Sequence, residues 1–413
     1  MIKNKRGITL LLAGLTCFSA LLTLKESKAT DVLSKHNYAY HITEIVPTAV
    51  KKDVKKVLET KAKSAYLMDS ATATPIYAHE EEKRLPIASM CKIMTLILTF
   101  ETIKKGDLSM DEEICISENA SSMGGSQVFL ESNAKYPVKE LIKSIVVCSA
   151  NDSCVALAEK IAGSESIFVE KMNEKARQLG ANNTLFANCT GLPKEPQYSC
   201  AKDVAIMLNE LTSYEEYFRF GKIWTDKFAH PEGRFTEITN TNRLVRFYDG
   251  CDGGKTGFTN QAGFCLAATA KRDNMRVISV VIGEESSDNR FHDVRTMFDY
   301  AFANYKVEPV VKEGEILPQK IEVLGGKKEE VGLVVADSSF QFLKRGEKVD
   351  CDFQINLPEK IKAPLKKGDK IGEIIVYKNN VECDKVAVVA LDDCPSATFI
   401  DNWRKVAKNW TIR

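Results

Sequence analysis

Three short clusters hold side chains that could cooperate in covalent catalysis: Ser89-Met90-Cys91-Lys92, Ser149-Ala150-Asn151 and Lys255-Thr256-Gly257. A serine hydroxyl is a weak nucleophile until a base within hydrogen-bonding reach takes its proton. A lysine can be that base only when uncharged, and burial beside another cation drives it toward that state. Ser89 is therefore the candidate nucleophile and Lys92 its general base, with Lys255 as the cation expected to hold Lys92 uncharged. A positioned base is worth about 10²–10⁴ in rate. No cluster is convincing alone. Ser-x-x-Lys recurs at Ser132 to Lys135 and Ser199 to Lys202, and Ser-x-Asn at Ser117 to Asn119 and Ser287 to Asn289.

The surrounding elements separate these copies. After Pro86 an almost wholly apolar run, Ile87 to Phe100, predicts a helix buried on most faces, with Ser89 and Lys92 on one side of it. Ser149 falls at a break between amphipathic helices in 136–212, a region punctuated by Gly163, Gly180 and Gly191. Lys255 opens a strand after the turn signal Asp252-Gly253-Gly254. Upstream, Ala65 to Asp69 and Thr74 to Ala78 read as strands around the turn-prone Asp69-Ser70. Downstream, Phe264 to Ala270 and Arg276 to Gly283 read as adjacent strands, and a helix follows from Asp293 to Ala303. Strands, then helices, then strands imply an α+β arrangement: a sheet split by a helical insertion.

The chain's 413 residues, 44% hydrophobic and 27% charged, are ordinary globular material for two or three domains. A balance of 57 basic against 56 acidic residues offers no field to hold nucleic acid, so no nucleic-acid partner is expected. Five histidines without a His-Glu-x-x-His pattern give no reason to expect a metal, and no cofactor is expected. Residues 1–29 read as an export signal: basic Lys3, Lys5 and Arg6, apolar Ile8 to Leu24, then Ser27-Lys28-Ala29. A leader occupies 30–59. Residues 306–395, short alternating segments broken by glycines, read as a small all-β domain. In 396–413, Phe399, Trp403, Val406 and Trp410 share one helical face flanked by Arg404, Lys405 and Lys408, which suits a helix lying flat on a membrane surface. Twelve cysteines without a Cys-x-x-Cys pattern read mainly as small buried hydrophobes.

With the three clusters in this order, the chain resembles the D-alanyl-D-alanine carboxypeptidases among the low-molecular-mass penicillin-binding proteins, kin to the serine β-lactamases. The likeness spans about 60–305 and includes Gly124-Gly125-Ser126, Asp152, Asn173 after Met172, Asn188 to Gly191-Leu192, Asn242 to Leu244 and Asp252 to Thr259. Residues 306–395, especially Ala363 to Gly368, resemble the family's C-terminal domain, and the tail resembles its amphipathic anchor.

The resemblance implies a β-lactamase/DD-peptidase-like catalytic domain over 60–305, acting at the outer face of the cell membrane and peripherally anchored there. It implies a hydrolase that removes the terminal D-alanine from peptidoglycan stem peptides ending in D-Ala-D-Ala through an acyl-enzyme on Ser89. β-Lactam antibiotics would be covalent inhibitors. In that scheme Ser149 relays a proton to the departing amine, and Asn151 bonds both Lys92 and the substrate's amide carbonyl. Lys255, Thr256 and Gly257 line the substrate, the first two facing its terminal carboxylate, which Arg290 helps to hold. The N–H groups of Ser89 and Phe258 form the oxyanion hole, where one donor is typically worth about 10²–10³ in rate. Two departures stand out: Cys91 where the family usually has threonine or another small residue, and Phe258 where relatives carry histidine or tyrosine.

Rival readings on the same fold are a D,D-endopeptidase, a β-lactamase and a catalytically silent wall-binding protein. Glu170 and Asn173 are the nearest pair to the residues that activate the deacylating water in the commonest β-lactamases, but at the wrong spacing. The presence of every motif side chain speaks against a silent protein.

Overall fold

The computed structural model describes residues 58–403. The expected signal, nearly all of the leader and the last turns of the expected anchor helix lie outside the described residues.

Five antiparallel strands form the central sheet: β1 (Ser64–Asp69), β2 (Pro75–His79), β3 (Cys251–Thr259), β4 (Gly263–Arg272) and β5 (Met275–Glu284), in the order β2-β1-β5-β4-β3. Both faces are covered, and the two-residue period of a strand divides its side chains between two cores. Ala65, Leu67, Val277, Val281, Leu266 and Ala268 pack against Phe291, Val294 and Phe298 of a long helix. Tyr66, Met68, Ile278, Val280, Ile282 and Ala267 face the other way, into a larger core shared with the inserted helices.

Those helices are α1 (Lys92–Lys105), α2 (Val138–Cys148), α3 (Asn151–Ala162), α4 (Glu165–Gln178) and α5 (Ala201–Leu211); the long helix on the opposite face is α6 (Ser287–Asn304). The arrangement is the expected one, an antiparallel sheet flanked by helices with a helical insertion between its strands.

Local departures have physical causes. The helix that carries Ser89 starts as a 3-10 turn, Ala88–Cys91, before α1 begins at Lys92. The glycines expected to form a turn before Lys255 lie inside β3, where a register shift between Cys251 and Gly253 and a φ of 129° at Gly254 bend the strand. α6 begins at Ser287 rather than Asp293, because the Ser286 hydroxyl accepts from the Asn289 N–H and caps it. Arg290 therefore lies on a helix and not in a connecting loop.

Beyond α6, Tyr305–Val311 pairs with Ser339–Lys344, and six further strands form a second sheet. Its own core comprises Val331, Leu333, Ile374, Val376, Val386 and Val388. A helical turn from Phe399 to Trp403 closes the described chain, with Phe399, Ile400 and Trp403 each more than 60% exposed. Among the described residues no helix is long and apolar enough to cross a membrane.

Candidate active site

In a 3-10 helix, side chains three residues apart eclipse one another. That geometry sets the Lys92 Nζ 2.9 Å from the Ser89 Oγ, to which it donates, in a side chain with no solvent exposure. Lys92 also donates to the Thr190 carbonyl. The turn is strained and tightly enclosed. Ala88 adopts a φ of 48°, and two glycines press on its flanks. A Cβ on Gly191 would stand 2.1 Å from the Ala88 carbonyl oxygen, and one on Gly257 would stand 2.6 Å from that of Ile87. Asn188 shapes the loop that brings Gly191 there. Its Oδ1 accepts the N–H groups of Thr190 (3.2 Å) and Gly191 (2.7 Å), while its Nδ2 donates to the Leu192 carbonyl (2.8 Å). In the sequence, Asn188 to Gly191-Leu192 stands out only as part of the family likeness; its place against Lys92 is a product of folding.

Ser149 ends α2 in the left-handed conformation, φ 66°, and its buried hydroxyl has no partner. Asn151 starts α3. Its backbone N–H donates to the Ser126 carbonyl and its Nδ2 to the Gly124 carbonyl, both at 2.7 Å, while its Oδ1 is buried and unpartnered. The expected bond from Asn151 to Lys92 is not made. The Gly124 carbonyl has the Asn151 amide instead, and Asp152 holds the same loop through the N–H groups of Val128 and Leu130. Buried polar atoms without partners are rare in folded proteins, and the hydroxyl of Ser149 and the Oδ1 of Asn151 are two in one short stretch.

β3 is an edge strand of the central sheet, and its Gly257 lies against the Ile87–Ser89 backbone. Lys255 is 2% exposed and donates to the Thr256 carbonyl at 3.2 Å. Burial first, and the positive charge of Lys92 next, push the Lys255 ammonium down to about 7.

Thr256 Oγ1 donates to Thr241 Oγ1 at 2.7 Å, a partner outside the three clusters. Phe258 is half exposed, its ring 4.4 Å from that of Phe264. Arg290 is not a surface group. Its Nη1 donates to the carbonyls of Gly257 (3.3 Å) and Cys265 (3.4 Å), and its Nη2 to the Ser287 hydroxyl (3.3 Å). Its guanidinium lies over the rings of Phe264 and Phe291, and burial lowers it to about 10, so it stays charged at neutral pH. At the far end of β3, the buried Tyr217 hydroxyl accepts the Gly254 N–H (2.7 Å), and Arg276 grips Asp252 through both guanidinium nitrogens (2.7 and 2.9 Å).

The two departures from the family pattern have different weight. Burial pushes the Cys91 thiol up to about 12, which leaves it a small core side chain rather than a reactive thiolate. All eleven described cysteines are free thiols, seven of them buried. Asn173, one of the two residues weighed for a β-lactamase, bonds the Val169 carbonyl and both backbone groups of Phe186, so its amide is committed to the fold.

The family model of D-alanyl-D-alanine carboxypeptidase matches residues 48–286, and that of the penicillin-binding protein 5 C-terminal domain matches 305–396. The chain is 40% identical over 364 residues to the D-alanyl-D-alanine carboxypeptidase DacF of Bacillus subtilis, covering 87% of this chain and 93% of the relative. It is 27% identical over 285 residues to the D-alanyl-D-alanine endopeptidase of Escherichia coli, covering 67% and 86%. Penicillin-binding protein 5 from Haemophilus influenzae superposes with a TM-score of 0.63 at 28% identity, over 82% of this chain and 98% of that one. Penicillin-binding protein D2 from Listeria monocytogenes in its ampicillin-bound form gives 0.54 at 27% identity, over 59% and 99%. A serine and a buried lysine in contact, with Gly257 of an edge strand against their turn, accord with these matches: the chain belongs to the D-alanyl-D-alanine carboxypeptidase family, peptidase family S11.

Proposed function

We propose that this serine-type D-Ala-D-Ala carboxypeptidase works through Ser89 as nucleophile and Lys92 as its base, and the observation that carries the assignment is their 2.9 Å contact. Ser89 Oγ attacks the carbonyl carbon of the penultimate D-alanine while Lys92 Nζ takes the hydroxyl proton. The oxyanion that forms is held by the N–H groups of Ser89 and Phe258, at the start of the helical stretch through α1, whose dipole favours negative charge. The C–N bond then breaks, Lys92 returns the proton by way of Ser149 to the departing D-alanine amine, and Ser89 is left acylated. Water hydrolyses the ester, its proton passing through Lys92 back to Ser89.

The terminal carboxylate binds beside Lys255 and Thr256 and stabilises positive charge there. It favours the ammonium form of Lys255, against which burial works in the free enzyme. Arg290 acts from behind β3, fixing the Gly257 carbonyl and adding positive charge. The unpartnered Asn151 Oδ1 and Ser149 hydroxyl are offered to the substrate and the leaving amine. β-Lactams, whose ring carbonyl imitates the scissile amide, acylate the same serine.

Residues 60–305 form the catalytic part, and 306–395 carry it away from a membrane surface on which the aromatic and basic tail from 396 lies. With the expected signal at 1–29, the enzyme faces the cell wall from outside the membrane. The test is release of D-alanine from diacetyl-lysyl-D-alanyl-D-alanine, with fluorescent penicillin labelling of wild type and of Ser89→Ala. Labelling of Ser89→Ala at the wild-type rate overturns the assignment, and rapid turnover of the penicillin adduct favours a β-lactamase.

A further inference from the structure

The Thr256 hydroxyl, set above against the substrate's terminal carboxylate, already has a partner in the free enzyme: it gives its proton to Thr241 Oγ1, 2.7 Å away. Thr241 belongs to none of the three catalytic clusters. Its backbone N–H donates to the Val147 carbonyl at 3.0 Å, two residues before Ser149. The residues on either side are fixed as well. Asn240 Nδ2 donates to the Ile223 carbonyl (2.8 Å), and Asn242 Nδ2 to the Gly253 carbonyl on β3 (3.1 Å). Thr241 is thus clamped between the end of α2 and the strand that carries Thr256, with its hydroxyl on that strand.

A hydroxyl has one proton and two lone-pair sites, and a carboxylate only accepts. When a carboxylate arrives, Thr256 must turn its proton outward to it, which ends its donation to Thr241. The Thr241 hydroxyl can then rotate and donate to Thr256 across the same oxygen–oxygen distance, with no heavy atom moving. A donor behind Thr256 polarises its O–H and strengthens the bond it gives to the carboxylate.

We propose that Thr241 is a positioning residue of the carboxylate subsite: by reversing its hydrogen bond with Thr256 it presents that hydroxyl as a donor, and so favours substrates that end in a free carboxylate. The proposal rests on the assignment of Ser89 as nucleophile and Thr256 as carboxylate ligand.

The full chain is assayed on diacetyl-lysyl-D-alanyl-D-alanine and on its C-terminal amide, as wild type, Thr241→Val, Thr241→Ser, Thr256→Val and the double valine variant. Thr241→Val, close in shape but without the hydroxyl, is expected to raise KM for the acid peptide about five- to tenfold, the size of one hydrogen bond, with a smaller fall in kcat. The acid-over-amide preference in kcat/KM shrinks by a similar factor, Thr241→Ser restores most of it, and the double variant is no worse than Thr256→Val alone. Equal losses on both peptides, additive losses in the double variant, or a Thr241→Ser variant that behaves like Thr241→Val each overturn the proposal. The last outcome assigns the residue's effect to its methyl group. Preference lost in Thr256→Val but kept in Thr241→Val overturns the proposal alone, whereas preference kept in Thr256→Val overturns the carboxylate assignment with it.

Discussion

The amines of Lys92 and Lys255, far apart along the chain, are both buried at the active site, and the charge on the first helps strip the proton from the second. Two ammonium groups in a site with little solvent repel strongly, because the low local dielectric amplifies their interaction. Lys255, pushed down to about 7, loses its proton near neutrality.

This coupling predicts the pH dependence of acylation. Lys255 sheds its proton at about 7, so in acid a full ammonium stands near the base that must take the Ser89 proton and opposes its gaining that charge. The second-order rate with penicillin is expected to climb about tenfold per pH unit between roughly pH 5 and 6.5, then level off above about 7. Stopped-flow labelling measures it, and a profile flat over that range sinks the idea. The stability effect has its own sign. The folded enzyme sheds at about 7 a proton that the unfolded chain keeps to 10.5, so this group makes the fold more stable as pH rises between those values.

Lys92→Ala should lower the acylation rate by more than about 10²-fold, the worth of a positioned base. Far-ultraviolet circular dichroism should remain that of wild type. Labelling within threefold of wild type in a folded Lys92→Ala variant assigns the base elsewhere.

Gly191→Ala drives a methyl group into the Ala88 peptide at a φ of 83°, where an L-residue is already strained. A loss of about 2 kcal/mol or more in stability is expected, together with penicillin labelling. Gly180 is the comparison: it shares the positive φ of 78° but has nothing within 4 Å, so Gly180→Ala should cost only about 1 kcal/mol and keep the label. Thermal melts of both variants separate steric displacement of the Ser89 turn from simple backbone strain.

Truncation after Ala397 removes Phe399, Ile400 and Trp403 yet keeps the Ala397 N–H on the Gly325 carbonyl at 2.7 Å, so the second sheet retains its closing contact. The shortened enzyme should leave the membrane fraction and hydrolyse peptide at the full-length rate. Continued sedimentation with membranes after signal processing removes the anchor assignment.

Much of this was legible in advance because it depended on local pattern. The two-residue alternation in 264–270 and 276–283 marks strands whichever partners they find, and both form at the expected places. Ser89 and Lys92 are bound together by three-residue spacing alone. The start of α6 is harder to read although its signal is present, a serine at 286 able to cap the N–H three residues on; the polar run Ser286 to Asn289 reads as a loop until that bond closes. The bend in β3 is equally hidden, since Asp252-Gly253-Gly254 has turn composition and only pairing with β4 makes it strand.

What the sequence determined by itself was the kind of chemistry, the order of its parts and the class of fold, because nucleophile, base and carboxylate-binding groups are properties of residue type and spacing. Only the tertiary structure decided their partners. It gave the Asn151 amide to Gly124 instead of Lys92, placed Arg290 behind β3, set Thr190 beneath Lys92 and brought Thr241 to Thr256. Those contacts join residues that are distant along the chain. A hydrogen bond of about 3 Å depends on where packing sets both ends, which no local pattern encodes.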